Sequence, residues 1–392
     1  MKIVDVVTTP VTVPTDAPLR WSQGVEDCTT RTIVEVKTDD GITGIGEMSG
    51  GARSAAEVES CRDFLIGLDP AETGPIHRRL ALMELLDAYT AVELACLDAV
   101  GKATGRTVAS LLGGAIRDRI SVASYLFYRY PSADGRLAAV DGPERMLERA
   151  VELTDRNGHR RHKLKGGVFP PAQEYRALQL LRETFPDAPL VWDPNAAWSV
   201  ETTIRVGQRL LSDGFELEFL EDPTWGVEGM RQARAALGIP FATNDVANAT
   251  RELAPAITQR AVDVILADIG WWGGFRGNLK MAAVAEAFGV GVAMHSDMEL
   301  GVSTAAMVHL ACVMPNLNYA IDSHYHDQAD DVIAEPWVYR DGCFVLPERP
   351  GLGVELDRDK LDFYHRYWEE HGELQPFFDP YRPDWDPTLP LF

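Results

Sequence analysis

The amino-acid sequence predicts an α/β fold: a modified TIM barrel of (β/α)7β type, with an N-terminal α+β capping domain completed by the C-terminal segment. Three observations predict it. From about residue 120, short apolar strands alternate with amphipathic helices such as PAQEYRALQLLRETF and VETTIRVGQRLLSDG. The polar residues Lys165, Asp193, Glu221, Asn244, Asp268, His295 and Asp322 end successive strands at intervals of 28, 28, 23, 24, 27 and 27 residues. A strand, a helix and two loops need about that length. The first 115 or so residues read differently, as a short sheet followed by helices.

In order along the chain, Val4, Val6, Thr8 and Val11–Val13 alternate as a strand. TRTIVEVKTDD and GITGIGE follow as a hairpin turning at Asp39, Asp40 and Gly41. The polar stretch Thr15 to Asp27 between these strands reads as irregular. AAEVESCRDFLIGL and YTAVELACLDAVGKATG have helical period, the second stopping at Gly105. The last barrel strand, NYAIDS, lacks a full helix after it, hence seven helical returns. The expected units are a cap at 1–118, a barrel at 119–330 and a C-terminal segment at 331–392 that packs back on the cap.

Composition narrows the partners. There are 37 basic and 59 acidic residues, a formal charge of −22. Such a surface repels phosphate backbones and anionic lipid, so neither nucleic acid nor a membrane is expected as partner. No apolar run approaches the roughly 18 residues that span a bilayer. Five scattered cysteines without CxxC pairing suit reduced thiols in a cytoplasmic protein. GITGIGEMSG nearly forms GxGxxG, but Ser49 replaces the third glycine and no βαβ unit follows.

The strand ends carry the chemistry, because they open on one face of such a barrel. Asp193, Glu221 and Asn244, on three successive strands, offer three oxygen ligands that suit Mg²⁺. Lys165 could move a proton on one side of a metal-held carboxylate, its pKa lowered by the metal and by Lys163. His295, oriented by Asp268, could act from nearly the opposite side. Any one acid at a strand end is ordinarily a helix cap or a loop salt bridge. Six consecutive, mutually compatible ends are not. WWGGF reads as a packed turn; His324 and His326, beyond the last strand, could touch the mouth but read more readily as surface loop. With Lys163 and Lys165 beside the cation, the mouth is expected to be locally positive.

These strings resemble the enolase superfamily, in its mandelate racemase-like branch and closest to the glucarate dehydratase group. The similarity runs through KLKGGVFPP, DPNAAWSVETTIRVG, LEDPTWGVEGM, ATND, MHSDMELGVSTAAMVHLA and RDGCFVLPERPGLGVELDRD. The resemblance implies Mg²⁺ on Asp193, Glu221 and Asn244. It makes Lys165 the first base, His295 with Asp268 the second acid/base, and Lys163 the group that neutralises the substrate carboxylate. Asn195 would bond near the metal-bound carboxylate, and residues 15–30 would cap the mouth. The implied reaction is dehydration of an acid sugar to a 2-keto-3-deoxy acid. Symmetric oligomers are usual in that branch, so a homo-oligomer is expected.

The departures lie at the far end of the pocket. HSD replaces the usual HSN, placing Asp297 there, and the capping loop reads Leu19, Arg20, Trp21, Ser22, Gln23. Asp297 would repel a second carboxylate unless paired, with Arg20 as the candidate partner. Arg20, Trp21, Tyr125, Asn195 and Asp297 are therefore the candidate substrate contacts, and a substrate other than D-glucarate is expected. The rival readings are a racemase or epimerase using the same two bases, and a non-catalytic ligand-binding barrel.

Overall fold

The computed structural model describes residues 1–392. The chain opens with three antiparallel strands, β1 (Ile3–Trp21), β2 (Gly24–Thr38) and β3 (Thr43–Ser49). The stretch Thr15 to Asp27, expected to be irregular, is instead strand. β1 and β2 form one long ribbon that turns at Ser22 and Gln23. Their register shifts between Pro14 and Leu19, and other groups take over there. The Asp16 amide donates to the Asp327 carbonyl at 2.7 Å, and the Tyr130 amide to the Pro18 carbonyl at 3.0 Å. Those partners lie more than a hundred residues away, so the local pattern carries no sign of them.

Four helices follow: α1 (Ala52–Leu65), α2 (Thr73–Leu82), α3 (Leu86–Thr104) and the short α4 (Val108–Leu111). α3 ends at Gly105, whose φ of 68° is the left-handed cap a glycine accepts without strain. α3 is buried along most of its length and lies directly on β3. Gly44 and Gly46 permit that approach. A Cβ on Gly46 would sit 2.0 Å from the Ala91 carbonyl oxygen of α3.

After β4 (Arg119–Ser121) comes the barrel. Its strands and helices alternate as β5 (Ser124–Arg129), α5 (Pro143–Asn157), β6 (His162–Lys165), α6 (Pro171–Thr184), β7 (Leu190–Asp193), α7 (Val200–Ser212), β8 (Phe219–Glu221), α8 (Gly226–Leu237), β9 (Phe241–Thr243), α9 (Thr250–Thr258), β10 (Val264–Ala267), α10 (Gly274–Phe288), β11 (Gly291–Met294), α11 (Gly301–Val313) and β12 (Leu317–Ile321). Neighbours pair in parallel throughout, and a Val122–Ile321 bridge closes the ring. Eight strands and seven helices make the (β/α)7β barrel. No helix of the structure is long and apolar enough to cross a membrane.

Inside the barrel, Val191, Phe219, Ala242, Val264, Leu266 and Ala293 form an apolar plug. The charged residues stand on the C-terminal side of it. Period-two alternation explains the division: Leu164 and Trp192 face the helices, while Lys163, Lys165, Val191 and Asp193 face inward.

Strand pairing and the C-terminal segment both tie the cap to the barrel. Leu19 and Arg20 of β1 pair antiparallel with Arg129 and Tyr128 at the end of β5. Beyond β12, β13 (Cys343–Val345) pairs with β4, and α12 (Arg358–His371) lays Leu361 and Tyr364 against Val11, Val13 and Ile33. The tail then returns to the ribbon tip, where the Trp21 indole N–H donates to the Pro376 carbonyl at 3.0 Å.

Gly46→Ala is expected to force α3 off β3 at a cost of about 1–3 kcal/mol. A thermal melt should show a lower Tm; an unchanged Tm would mean that the contact is not tight.

Candidate active site

The ends of β7 and β8 and the residue after β9 bring Asp193, Glu221 and Asn244 together, all buried to 2% exposure or less. Lys163 Nζ lies 2.6 Å from Glu221 Oε1, 2.6 Å from Asp322 Oδ2 and 3.5 Å from Asp193 Oδ2. Lys165 Nζ lies 2.8 Å from Asp193 Oδ2. Three carboxylates thus face two ammonium groups, one negative charge in excess. Glu221 Oε2 and Asn244 Oδ1 are buried without a hydrogen-bond partner. Buried polar oxygens are ordinarily bonded, so these two point to a ligand. Together with Asp193 they form an all-oxygen donor set, which fits a hard cation such as Mg²⁺.

Asp222 holds this wall in place. Its φ of 33° belongs to the left-handed region, and its carboxylate accepts from the Asn244 amide at 2.8 Å, the Asp245 amide at 3.1 Å and the Thr243 hydroxyl at 2.5 Å. Asn195, also left-handed at φ 52°, donates its amide to Asp193 Oδ1 at 3.0 Å. Its side-chain amide donates to Asp245 Oδ2 at 3.2 Å.

Nearly opposite, His295 Nδ1 lies 2.9 Å from Asp268 Oδ2. The other Asp268 oxygen accepts from the Gly270 and Trp271 amides at 2.7 and 2.9 Å, which fixes the carboxylate. Trp271 stacks on the imidazole, ring centres 4.9 Å apart. Burial would lower the pKa of His295, but the Asp268 carboxylate outweighs it and raises it to about 9. Lys165 moves the same way. Burial and Lys163 lower its pKa, yet Asp193 and Tyr125 outweigh them and the net shift is upward. The lowering expected from sequence rests on a cation held by Asp193, the same carboxylate that here pairs with Lys165.

Between the two groups lies a cavity of about 490 Å³, lined by Lys165, His295, Asn195 and Asn244. Tyr125 lines it too, its ring 4.8 Å from Lys163 Nζ and 5.7 Å from Lys165 Nζ. Trp21 forms part of the rim and rests on Phe377 of the tail, ring centres 5.4 Å apart. Arg20 does not reach the cavity. Its guanidinium lies over Tyr130 and Phe169, because β-strand alternation turns it away from Trp21. Asp297 does line the cavity, but its partner is Arg31 at 3.6 Å rather than Arg20.

Several lining residues escaped the sequence reading. His324 and His326 are buried, not surface loop, and His324 reaches the cavity with its Nε2 3.9 Å from Glu26 Oε2. Trp271 serves the cavity, whereas its neighbour Trp272 is the packed turn residue. Glu26 and Asp245 add carboxyl groups to a lining that also holds Lys165 and His295. The signal for Trp271 was its place three residues after Asp268; for Glu26 it was its place in the 15–30 segment that the resemblance puts over the mouth.

The N-terminal domain model of the mandelate racemase / muconate lactonizing enzyme family matches residues 3–113, and the enolase C-terminal domain-like model matches residues 145–360. A probable glucarate dehydratase of Streptomyces coelicolor is 40% identical, over 96% of this chain and 94% of that protein. A D-galactarolactone cycloisomerase of Agrobacterium fabrum is 30% identical, over 88% of this chain and 94% of that protein. A crystal structure of an enolase from Thermobispora bispora, complexed with magnesium and formate, superposes with a TM-score of 0.93 at 39% identity and covers 100% of both chains.

The His295 pair makes a titration prediction. Its folded pKa lies above the unfolded value of about 6.5. The stability it contributes is therefore complete below that pH and lost as pH rises through about 9. Asp268→Asn removes the raising carboxylate and leaves burial and the lysines to lower the value. An NMR titration of His295 should move from about 9 in the wild type to below 6.5 in the variant. An unmoved midpoint would refute the role of Asp268.

Proposed function

The chain belongs to the mandelate racemase / muconate lactonizing enzyme family of the enolase superfamily, and on that premise we propose that it is a Mg²⁺-dependent acid-sugar dehydratase. One observation carries the reading. Lys165 and the His295–Asp268 pair face one cavity from nearly opposite strands, with the unpartnered Asn244 oxygen between them. The likeness to a probable glucarate dehydratase supports dehydration as the outcome.

Asp193, Glu221 and Asn244 would hold the ion. Bound there, Mg²⁺ supplies charge against which a substrate carboxylate can become more negative, and it offsets the pull of Asp193 on the Lys165 proton. Lys165 takes the proton from C2 of a 2,3-dihydroxy acid. The electron pair of that C–H bond becomes the C2=C3 bond, and the C3–O bond breaks. His295, kept protonated by Asp268, gives its proton to the departing hydroxyl, which leaves as water. The enol that remains tautomerises to the 2-keto-3-deoxy acid. One acid becomes one keto acid plus one water. Asn195 and Asp222 hold the wall in register, and Lys163 keeps the buried carboxylates compensated.

A second reading, epimerisation at C2, draws on the same pair: His295 can return a proton to the face opposite Lys165. The cycloisomerase relative shows that this scaffold is not confined to dehydration.

The test is a Mg²⁺-supplemented screen of four- to six-carbon sugar acids, with keto-acid detection and C2 exchange in D₂O. At least one acid should yield keto acid, and Lys165→Met should lower kcat about 10³-fold. Exchange without keto acid would favour epimerisation. Full activity in Lys165→Met would sink both readings.

A further inference from the structure

The charges around the cavity are unevenly distributed. Every cationic group on its lining belongs to the acid/base pair: Lys165 and His295. No arginine lines it. Arg31 is the arginine behind Asp297, and it is already committed. Its Nε lies 2.8 Å from Glu47 Oε1, its Nη1 bonds the Asp297 carbonyl at 2.9 Å, and it is 3% exposed.

The ribbon side of the cavity presents Glu26 and His324. Glu26 Oε2 is a buried oxygen with no hydrogen-bond partner. His324 cannot supply a charge. Its Nδ1 is 2.9 Å from Ser296 Oγ, its ring packs against both Tyr125 and Phe127, and burial keeps its pKa far below the usual imidazole range. Asp297 adds a second carboxylate on the same side. A carboxylate at the far end of a substrate would therefore meet the Asp297 carboxylate, a neutral imidazole and Glu26, whose pKa burial raises to about 7, and none of the three is a cation. A hydroxyl would meet an acceptor that lacks a donor, and Trp21 and Phe127 offer apolar faces for a carbon chain.

Resting on the dehydratase reading, we propose that the substrate is a monocarboxylic polyhydroxy acid, an aldonate, whose distal hydroxyl donates to Glu26. Dicarboxylic aldarates are rejected because the far end of the cavity holds no cation for a second carboxylate. Glu26 is then the specificity-determining residue, supplied by the cap.

The experiment pairs each pentonate and hexonate with the aldarate of the same length and configuration, at saturating Mg²⁺. For the acid that reacts best, kcat/KM should exceed that of its paired aldarate by at least about 100-fold, since like-charge juxtaposition in a desolvated site is strongly disfavoured. Glu26→Gln should narrow this ratio at least tenfold while leaving C2 exchange of the aldonate detectable. Calorimetric binding of the same pairs to Lys165→Met reads the preference without turnover. Equal or better use of the aldarate, or an unchanged ratio in Glu26→Gln, would overturn the proposal while leaving the dehydratase reading intact. Aldonate-selective binding with neither keto acid nor exchange from any acid would overturn the dehydratase reading and leave the specificity standing.

Discussion

Two lysines stand inside the barrel, and their compensation governs the rest of the site. Lys163 is 1% exposed and sits just above the apolar plug. A buried ammonium is tolerable only when paired and hydrogen-bonded. Asp193, Glu221 and Asp322 provide that pairing, and the register of the sheet delivers them. Lys165 lies directly opposite Asp193 across β6 and β7. The arrangement is over-supplied with negative charge by one carboxylate, and two of its oxygens accept from no donor. Folding alone would have little use for that surplus. It makes sense as a site prepared for a cation.

The same cluster reinterprets the chain's overall charge of −22. A locally positive mouth would be one way to admit an anion. The proposal offers another: the only cations on the lining, Lys165 and His295, belong to the acid/base pair, and Glu26 and Asp297 stand where a second carboxylate would fall. Binding energy and repulsion are thereby separated along the cavity, which gives direction to a substrate with one carboxylate. The cap contributes Glu26 through β2, and Asp297 follows β11 of the barrel, so on the proposal the cap adds a specificity residue to a barrel that carries the acid/base pair.

What was legible in the sequence follows from this division. Lys165, Asp193, Glu221, Asn244, Asp268 and His295 each close a repeating unit, and their spacing reports their place on the ring. The chemistry of the barrel mouth is thus encoded locally. Glu26, His324 and Phe377 reach the cavity only because long-range pairing puts them there. The bonds from Asp16 to Asp327 and from Tyr130 to Pro18 are of that kind. Arg20 was misplaced for the same reason: which side of the ribbon faces the barrel depends on its pairing with β5. The 2.8 Å contact of Lys165 with Asp193 was likewise out of reach, because spacing reveals a neighbouring strand but not a distance.

The central claim is that Asp193, Glu221 and Asn244 form one cation site between two acid/base groups. Calorimetric titration of Mg²⁺ into chelator-treated protein tests it most directly. One Mg²⁺ should bind per chain, and Asn244→Leu and Glu221→Gln, checked for intact fold by circular dichroism, should each weaken binding at least about tenfold. Undiminished binding in both folded variants, or no binding to the wild type, would contradict the account.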